Sequence, residues 1–301
     1  ATEPVDALGA GEAVELTWQL KALPQSGGGF FGGAQILVRQ GGVIVNADAL
    51  QVWDCWRKLS ARPSPADEAR AAHRLYGHLP RGAAYSVGDW LREAAEVLAE
   101  LKAQGKRPVF VGGTGLYLSA LTKGLAEIPP TPPEIRAEAD VLMADGGVAA
   151  LLAGVDADTA SRIDRRNPAR VQRAWEVQRA TGRGLVEWQA ANAPPLVPLA
   201  EAAAVVLDAD RDWLAARIDA RFMTMIEEGA VDEVRAVLPF WDERALWANA
   251  IGGREIVAHL RGETDLATAI TLAQATSRQY AKRQRTWFRA RMQDWTWLPR
   301  P

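Results

Sequence analysis

The sequence predicts an α/β protein whose parallel β-sheet is interrupted by a smaller helical domain. Two short apolar, β-branched runs, residues 43–48 (VIVNAD) and 107–113 (RPVFVGG), have the pattern of buried strands. Between them, residues 86–105 have the apolar spacing of an amphipathic helix, with Ser86 as its N-cap and Gly105 at its end. A strand, a helix and a second strand in this order form a βαβ unit, which implies a parallel sheet.

Two proline-rich stretches, residues 127–134 (EIPPTPPE) and 193–198 (APPLVP), mark the limits of the insertion. Between them the apolar spacing is helical. An apolar run resumes at residues 202–210 (AAAVVLDAD), so we expect the sheet to continue there. Further helices are predicted over residues 115–124, 212–229 and about 266–291. The predicted domains are an α/β core and a helical insertion, which comprise residues 1–126 with 200–301 and residues 127–199.

The composition is that of a soluble globular protein and argues against several classes of function. The 301 residues include 35 Lys and Arg against 37 Asp and Glu, for a net charge of −2. No apolar run reaches the roughly 18 residues of a membrane span, and the acidic N-terminal segment does not resemble a secretory signal. A single cysteine, Cys55, excludes an internal disulfide and, with only three histidines, argues against a zinc site. We therefore expect a cytoplasmic protein with no membrane association, and no stable protein partner is implied.

The small net charge conceals two strongly basic segments. Residues 278–291 contain six Lys and Arg and no acid, and residues 162–183 are nearly as rich in arginine. Taken singly, each of these arginines is explained as a solvated surface residue. Together, local basic surfaces on a weakly acidic body indicate a polyanionic partner that is contacted at chosen places.

Asp48 and Thr114 each follow a predicted strand, so both would lie at the edge of a parallel sheet where ligands bind. A glycine-rich loop, residues 24–35 (PQSGGGFFGGAQ), would lie near that edge if residues 13–20 (AVELTWQL) form the preceding strand. Each feature has a plainer alternative: an aspartate that caps a turn, a threonine that caps a helix, and a loop that only connects. The loop also lacks the lysine and hydroxyl residue of the G-x-x-x-x-G-K-[ST] motif. Their shared position makes the three together a candidate site.

Ordered blocks from about residue 41 to the C-terminus resemble the tRNA dimethylallyltransferase family, also called the tRNA isopentenyltransferases. The blocks follow the order of the family over most of the chain, so coincidence does not account for them. They are GGVIVNADALQVW (41–53), AAYSVGDWLREAAEVL (83–98), RPVFVGGTGLYLSALTKGL (107–125), NPARVQRAWEVQRATGR (167–183), ARIDARFMTMIEEGAVDEV (216–234), AIGGREI (250–256) and SRQYAKRQRTWFR (277–289).

The resemblance implies a P-loop-type three-layer α/β fold with a parallel sheet and an inserted small helical domain. It implies the transfer of a dimethylallyl group from dimethylallyl diphosphate to the exocyclic N6 of the adenosine beside the anticodon in tRNA. The implied partners are therefore the tRNA anticodon stem-loop and dimethylallyl diphosphate. The implied cofactor is Mg²⁺, whose protein ligands the sequence does not identify.

By the same resemblance, Asp48 contacts the target N6 amine and Thr114 lies beside the reacting diphosphate. A carboxylate there can take the amine proton as a general base, and a hydroxyl can stabilise the leaving oxygen. Arg217 and Arg221, at positions i and i+4 of one helix face, match the diphosphate-binding arginines of the family. Guanidinium groups suit this task because they pair with phosphate in a bidentate manner.

The tRNA-contacting segments of the family fall on three parts of this chain. Flipping the target base out of a stacked loop also requires cations for the phosphates and planar surfaces for the bases, and the C-terminal KRQRTW block interleaves the two. The alternative is a solvated basic helix whose Trp287 faces the core. The residues assigned to tRNA are Ala49, Leu50 and Gln51, then Arg136, Ala169, Arg170, Val171, Gln172 and Arg173, and finally Lys282, Arg283, Gln284, Thr286 and Trp287.

The phosphate loop is where this sequence departs from the family. Aligned back from the first block, the motif G-P-T-A-S-G-K-S falls on residues 23–30, and Gly29 and Phe30 replace its lysine and serine. Only Pro24 and Gly28 match. Backbone amides of a glycine-rich loop can still cradle an anion as a nest, so diphosphate binding is also assigned to Ser26, Gly27 and Gly28.

Two explanations of this departure compete. Either the loop has lost its lysine and hydroxyl, which would weaken diphosphate binding and turnover, or residues 1–40 of the sequence as given are incorrect. We favour the second, because Asp48, Thr114 and both arginines are retained in register. Peptide sequencing of residues 1–40 decides between them, and a confirmed glycine at 29 and phenylalanine at 30 would reject our preference.

Two other functions compete with tRNA prenylation. One is a non-catalytic tRNA-binding relative with a degenerate phosphate loop, and the other is a kinase or prenyltransferase that acts on free nucleotides. The basic C-terminal helix and the arginine-rich insertion argue against free nucleotides, because a small substrate needs no such surfaces.

Overall fold

The computed structural model describes residues 42–299, which divide into two compact units. Residues 42–119 and 199–299 form an α/β unit, and residues 120–198 form a helical unit. The strand expected at residues 13–20 and the loop with Ser26, Gly27 and Gly28 lie outside the described residues. In chain order the elements are β1 (Val43–Asn46), α1 (Pro65–Arg70), β2 (Ala72–Arg74), α2 (Val87–Ala103), β3 (Pro108–Val111), α3 (Gly115–Lys123), α4 (Pro133–Leu152), α5 (Ala157–Arg162), α6 (Pro168–Thr181), α7 (Leu185–Ala190), β4 (Val205–Asp208), α8 (Arg211–Glu227), α9 (Ala230–Val237), α10 (Gly253–Leu260), α11 (Leu266–Arg291) and β5 (Thr296–Pro299).

The predicted βαβ unit is confirmed. β1 pairs with β2 on one side and with β3 on the other, and both pairings are parallel. Ser86 and Asp89 form a reciprocal capping box at the start of α2, and Gly105 follows its end with a φ of 64°. The apolar stripe of α2 buries Trp90 and Leu101, so the helix packs on the sheet as its period of 3.6 residues requires.

The expectation that residues 202–210 continue this sheet is not met among the described residues. β4 forms there, but it pairs in parallel with β5, a C-terminal strand that the sequence analysis did not identify. The register places Val205 opposite Thr296. The three-stranded sheet has the order β2-β1-β3, and β4 pairs with none of its strands. The described chain therefore holds two separate parallel sheets.

The helical unit begins before the proline-rich stretch at residues 127–134. Two backbone hydrogen bonds join the two ends of this unit. The amide of Val197 donates to the carbonyl of Leu121 at 2.9 Å, and the amide of Ala193 donates to the carbonyl of Leu125 at 3.2 Å. Within the unit, the first of the expected helices is α4, which has a break at Gly147, whose φ is 62°.

Each unit has an apolar core of its own. In the α/β unit the largest cluster is built around Trp56 and Trp247, whose rings lie 5.8 Å apart, and the Trp56 indole N–H donates to the Trp247 carbonyl at 2.8 Å. In the helical unit α4 and α6 bury Leu151, Val171 and Trp175. Among residues 42–299 no helix is long and apolar enough to cross a bilayer.

Candidate active site

Asp48 lies in a tightly organised turn directly after β1. Its side chain is buried, with 2% of the residue exposed. The amide of Asp48 donates to Asn46 Oδ1 at 2.8 Å, and Asn46 Nδ2 donates to the carbonyls of Asp48 and Leu75, each at 2.9 Å. The amide of Leu50 donates to Asp48 Oδ1 at 2.8 Å. Asp48 Oδ1 therefore caps the turn, as the plainer alternative for this aspartate expects. The hydrogen bonds of the turn also fix the orientation of Oδ2.

Thr114 meets this turn from the end of β3. Its hydroxyl oxygen accepts the amide hydrogen of Ala49 at 2.9 Å, and its own amide donates to the Ala47 carbonyl at 3.2 Å. The carbonyl of Thr114 begins α3 by accepting from Tyr117. The hydroxyl therefore bonds to the Asp48 turn, and the structure brings Asp48 and Thr114 together at one sheet edge, as the two strand predictions require.

Glycines bring α11 onto this edge. A Cβ on Gly113 would lie 2.2 Å from Gln284 Nε2, and a Cβ on Gly115 would lie 2.2 Å from the Trp287 ring. At position 115 the Trp287 ring leaves no room for a side chain, whereas at position 113 a side chain would require the end of Gln284 to shift. Gln284 Nε2 donates to the Gly113 carbonyl at 2.8 Å. Two residues predicted to contact tRNA, Gln284 and Trp287, thus also pack against the turn that carries Thr114.

Burial raises the pKa of Asp48 above its usual value, because water is withdrawn from the charged form. Hydrogen bonds from the amides of Leu50 and Gly113 and the positive charge of Arg221 act in the opposite direction. Burial also lowers the pKa of Arg221 to about 10, against the favourable influence of Asp48. Arg221 therefore stays protonated near neutral pH, and it faces a carboxylate with increased basicity.

Arg217 and Arg221 lie at i and i+4 of α8, and Arg217 lowers the pKa of Arg221 by repulsion. The Arg217 guanidinium lies over the Trp213 ring, 5.5 Å from its centre. Like charges at this spacing destabilise a helix, and an anion between them would relieve the repulsion. The pair concentrates positive charge on one face of α8, and Arg221 of this pair interacts with the Asp48 carboxylate.

Three tyrosines lie near Asp48, and the sequence analysis missed all of them. Burial raises the pKa values of Tyr76, Tyr117 and Tyr280, and the negative charge of Asp48 raises them further. Tyr280 also hydrogen-bonds with the side chains of Thr114 and Gln284. No motif or spacing connects these tyrosines in the sequence, because they come from a loop, α3 and α11.

Trp90 packs against one of these tyrosines, Tyr117. Its ring stacks on Tyr117 with centres 4.5 Å apart and an angle of 15°, and its indole N–H donates to the Asn46 carbonyl at 2.9 Å. The apolar stripe of α2 predicted that Trp90 is buried, and the structure adds its contact with the turn before Asp48.

The basic segment of α11 divides into paired and exposed cations. Arg278 pairs with Asp219, and Arg285 and Arg289 lie 3.6 and 3.5 Å from Asp208. Lys282, Arg283 and Thr286 are exposed, and Arg283 stacks over the Tyr280 ring at 5.7 Å. Trp287 is partly buried against the turn formed by residues 112–115 (the GGTG turn). The alternative in which Trp287 faces the core therefore describes its packing in part.

Two side chains predicted to contact tRNA are buried instead. Gln51 Nε2 donates to the carbonyls of Ser60 and Ala61, each at 3.0 Å, and thereby holds a neighbouring loop. Val171 belongs to the core of the helical unit. Both side chains serve packing in this structure, and a tRNA contact at either position stays a prediction.

The other predicted residues of the helical unit are more accessible. Ala169 and Arg170 are exposed at the start of α6. Arg136, Gln172 and Arg173 converge on the buried carboxylate of Glu176. Ala49 and Leu50, in the α/β unit, are partly buried beside Asp48. A tRNA contact by any of these residues remains a prediction.

The chain resembles known proteins over most of its length. The family model described as IPP transferase matches residues 51–291. The chain belongs to the IPP transferase family. A relative named tRNA dimethylallyltransferase, from Cereibacter sphaeroides, is 63% identical over 262 residues, which cover 87% of this chain and 82% of the relative. A second protein of that name, from Paracoccus denitrificans, is 58% identical over 266 residues, 88% of each chain.

Solved structures of the family resemble this chain as well. The tRNA isopentenylpyrophosphate transferase of Bacillus halodurans is 29% identical with a TM-score of 0.59, over 86% of this chain and 81% of that one. A eukaryotic dimethylallyltransferase acting on tRNA superposes with a TM-score of 0.71 at 22% identity, over 86% of this chain and 67% of the other, which supports the fold alone.

Proposed function

We propose that this protein transfers a dimethylallyl group from dimethylallyl diphosphate to N6 of the adenosine next to the anticodon in tRNA. Membership of the IPP transferase family and relatives named tRNA dimethylallyltransferase support tRNA prenylation. The observation that carries the mechanism is the buried carboxylate of Asp48, with a raised pKa, in the same turn that Thr114 and Arg221 approach.

The reaction forms a C–N bond and breaks a C–O bond. The N6 nitrogen attacks the first carbon of the dimethylallyl group, and the diphosphate leaves with the electron pair of the C–O bond. Asp48 accepts the proton that N6 loses, which its increased basicity favours. Arg217 and Arg221 stabilise the charge that develops on the diphosphate. The Thr114 hydroxyl accepts a hydrogen bond from the Ala49 amide and donates one to the leaving oxygen.

The target adenine must leave its stack to reach this edge. Aromatic surfaces can hold a flipped base, and exposed cations can hold the flanking phosphates. Tyr76, Tyr117 and Tyr280 supply aromatic surface near Asp48, and Lys282 and Arg283 supply exposed charge on α11.

We further propose that the fold is of the P-loop type with the helical unit as its insertion. The parallel sheets support a fold of this type. The insertion is supported by the chain order, since residues 120–198 separate the two segments that make up the α/β unit. Mg²⁺ is proposed as the cofactor, to neutralise charge on the diphosphate. Residues 42–299 contain no cluster of three Asp, Glu, His or Cys that fits a metal, and the oxygens of diphosphate and water are ligands that Mg²⁺ prefers.

The test is incubation with labelled dimethylallyl diphosphate and either an anticodon stem-loop or AMP. We expect label on the stem-loop and far less on AMP. Equal labelling of AMP would favour a prenyltransferase of free nucleotides. Salt-sensitive stem-loop binding without any transfer, at every Mg²⁺ concentration, would favour a non-catalytic binding protein.

A further inference from the structure

Glu176 is a buried acid whose partners are solvent-exposed bases. It lies on α6, and only 4% of its side chain is exposed. Its Oε2 lies 3.4 Å from Arg136, 3.9 Å from Arg173 and 3.4 Å from the hydroxyl of Thr131. Its Oε1 accepts from Gln172 at 3.2 Å. The side chains of Arg136 and Arg173 are 61% and 39% exposed.

This arrangement is a poor way to stabilise a fold. Burying a carboxylate costs free energy that only short, well-oriented contacts repay, and the contacts of Glu176 with the two arginines are long. The arginines would remain hydrated without it. The buried charge therefore calls for a reason other than stability.

What the carboxylate does achieve is to hold two guanidinium groups side by side. Arg136 comes from α4 and Arg173 from α6, and they repel each other. Arg173 also donates to Thr131 at 2.6 Å, while Gln172 bridges Glu176 and Asp140, the latter at 2.7 Å. Arg136 and Arg173 carry one more charge than the carboxylate that contacts them directly, since Asp140 joins the group only through Gln172, and the two guanidinium groups are ordered and at least partly exposed. Ordered guanidinium pairs bind phosphate well, because less side-chain freedom is lost on binding.

We propose that Glu176 is a positioning residue for tRNA, which orients Arg136 and Arg173 as a clamp for one backbone phosphate. This inference rests on the proposed function. It gives the side chain of Glu176, which touches no RNA itself, a measurable effect on RNA affinity through the two arginines.

The experiment compares the full chain with Glu176→Gln and with Glu138→Gln as the matched control. Glu138 lies on α4 of the same unit and pairs with Arg179 at 3.3 Å on the surface. Each substitution removes one negative charge, so by charge alone both should tighten RNA binding slightly. A positioning role predicts the opposite sign for Glu176→Gln.

We expect Glu176→Gln to raise the Kd and KM for an anticodon stem-loop about tenfold relative to Glu138→Gln, the loss of roughly one charge-assisted contact. Both kcat and the KM for dimethylallyl diphosphate should stay unchanged. The slope of log Kd against log salt should fall by about one phosphate contact. In an Arg136→Ala, Arg173→Ala background, Glu176→Gln should have no additional effect.

A Kd for Glu176→Gln equal to or below that of the control would overturn the proposal, as would full additivity with the arginine substitutions. Should Glu176→Gln fail to fold, Glu176→Asp keeps the charge but withdraws the carboxylate, and an unchanged Kd would then overturn it. Failure of the proposed function is distinguishable: the unsubstituted protein would transfer no dimethylallyl group, while its stem-loop binding and the effect of Glu176 could still be measured.

Discussion

At the residue scale, Asp48 combines two properties that usually conflict. It is buried, which favours the protonated form, and it accepts amide hydrogens from Leu50 and Gly113, which favour the ionised form. Burial is the larger influence, so the pKa is raised. The residue thus binds a proton more readily than an exposed aspartate, as a general base requires.

Replacing Asp48 with Asn should reduce prenyl transfer to a stem-loop by about 10²–10⁴-fold, the range for a general base. The reason is that Asn keeps the size of the side chain and loses the proton acceptor. Single-turnover rates with saturating substrates measure the effect. A loss below about tenfold would remove Asp48 from this role.

The raised pKa of Asp48 also gives a prediction for stability. The folded state binds the proton more tightly than the unfolded state, so the contribution of Asp48 is favourable at low pH and is lost as pH rises through the folded pKa. Asp48→Asn should therefore stabilise the protein more at pH 7 than at pH 4 in urea unfolding. Asp145→Asn, at an exposed site, should show no such difference. An effect of Asp48→Asn that is larger at pH 4 would contradict the sign.

At the element scale, the sequence predicted the βαβ unit, α11 and the shared position of Asp48 and Thr114. These succeed because capping and apolar period are local signals: Ser86 caps α2, and α11 spans the expected residues. The pairing of β4 with β5 and the approach of Tyr280 to Asp48 could not be predicted, because both join segments that are distant in sequence and carry no pairing signal.

The contact between the GGTG turn and α11 yields a stability prediction. Gly115→Ala should cost about 1–3 kcal/mol, because its Cβ would meet the Trp287 ring. Gly88→Ala is the control: it lies in α2, its nearest neighbour would be 3.5 Å away, and the change should stabilise by about 0.5–1 kcal/mol. Urea unfolding measures both. If the clash is the cause, Trp287→Leu should restore most of the stability of Gly115→Ala, and a simple sum of the two losses would refute it.

At the scale of the whole molecule, a net charge of −2 coexists with basic groups on both units. Exposed cations occur on α11 (Lys282, Arg283) and in the helical unit (Arg136, Arg170). A weakly acidic body limits unspecific binding of RNA, while the local groups hold chosen phosphates.

Binding of tRNA should therefore depend strongly on salt. We expect log Kd for an anticodon stem-loop to rise linearly with log KCl, with a slope of roughly 3–4. Lys282→Ala should lower that slope by about one, and Lys102→Ala, an exposed lysine at the end of α2, should leave it unchanged. Fluorescence anisotropy across a KCl series checks this, and equal slopes for both variants would contradict an RNA contact at Lys282.

The hydrogen bond from Gln284 to Gly113 has a consequence for forms of the protein that are truncated before α11. Helix α11 supplies the side chains that pack on the turn at Thr114, and it contains none of the groups proposed to react. A premature stop codon or a proteolytic cut ahead of α11 would leave Asp48, Thr114, Arg217 and Arg221 in the chain but would remove Gln284 and Trp287, which pack on the turn that carries Thr114. Such truncated products should be inactive, and their loss of activity would say nothing about RNA contacts.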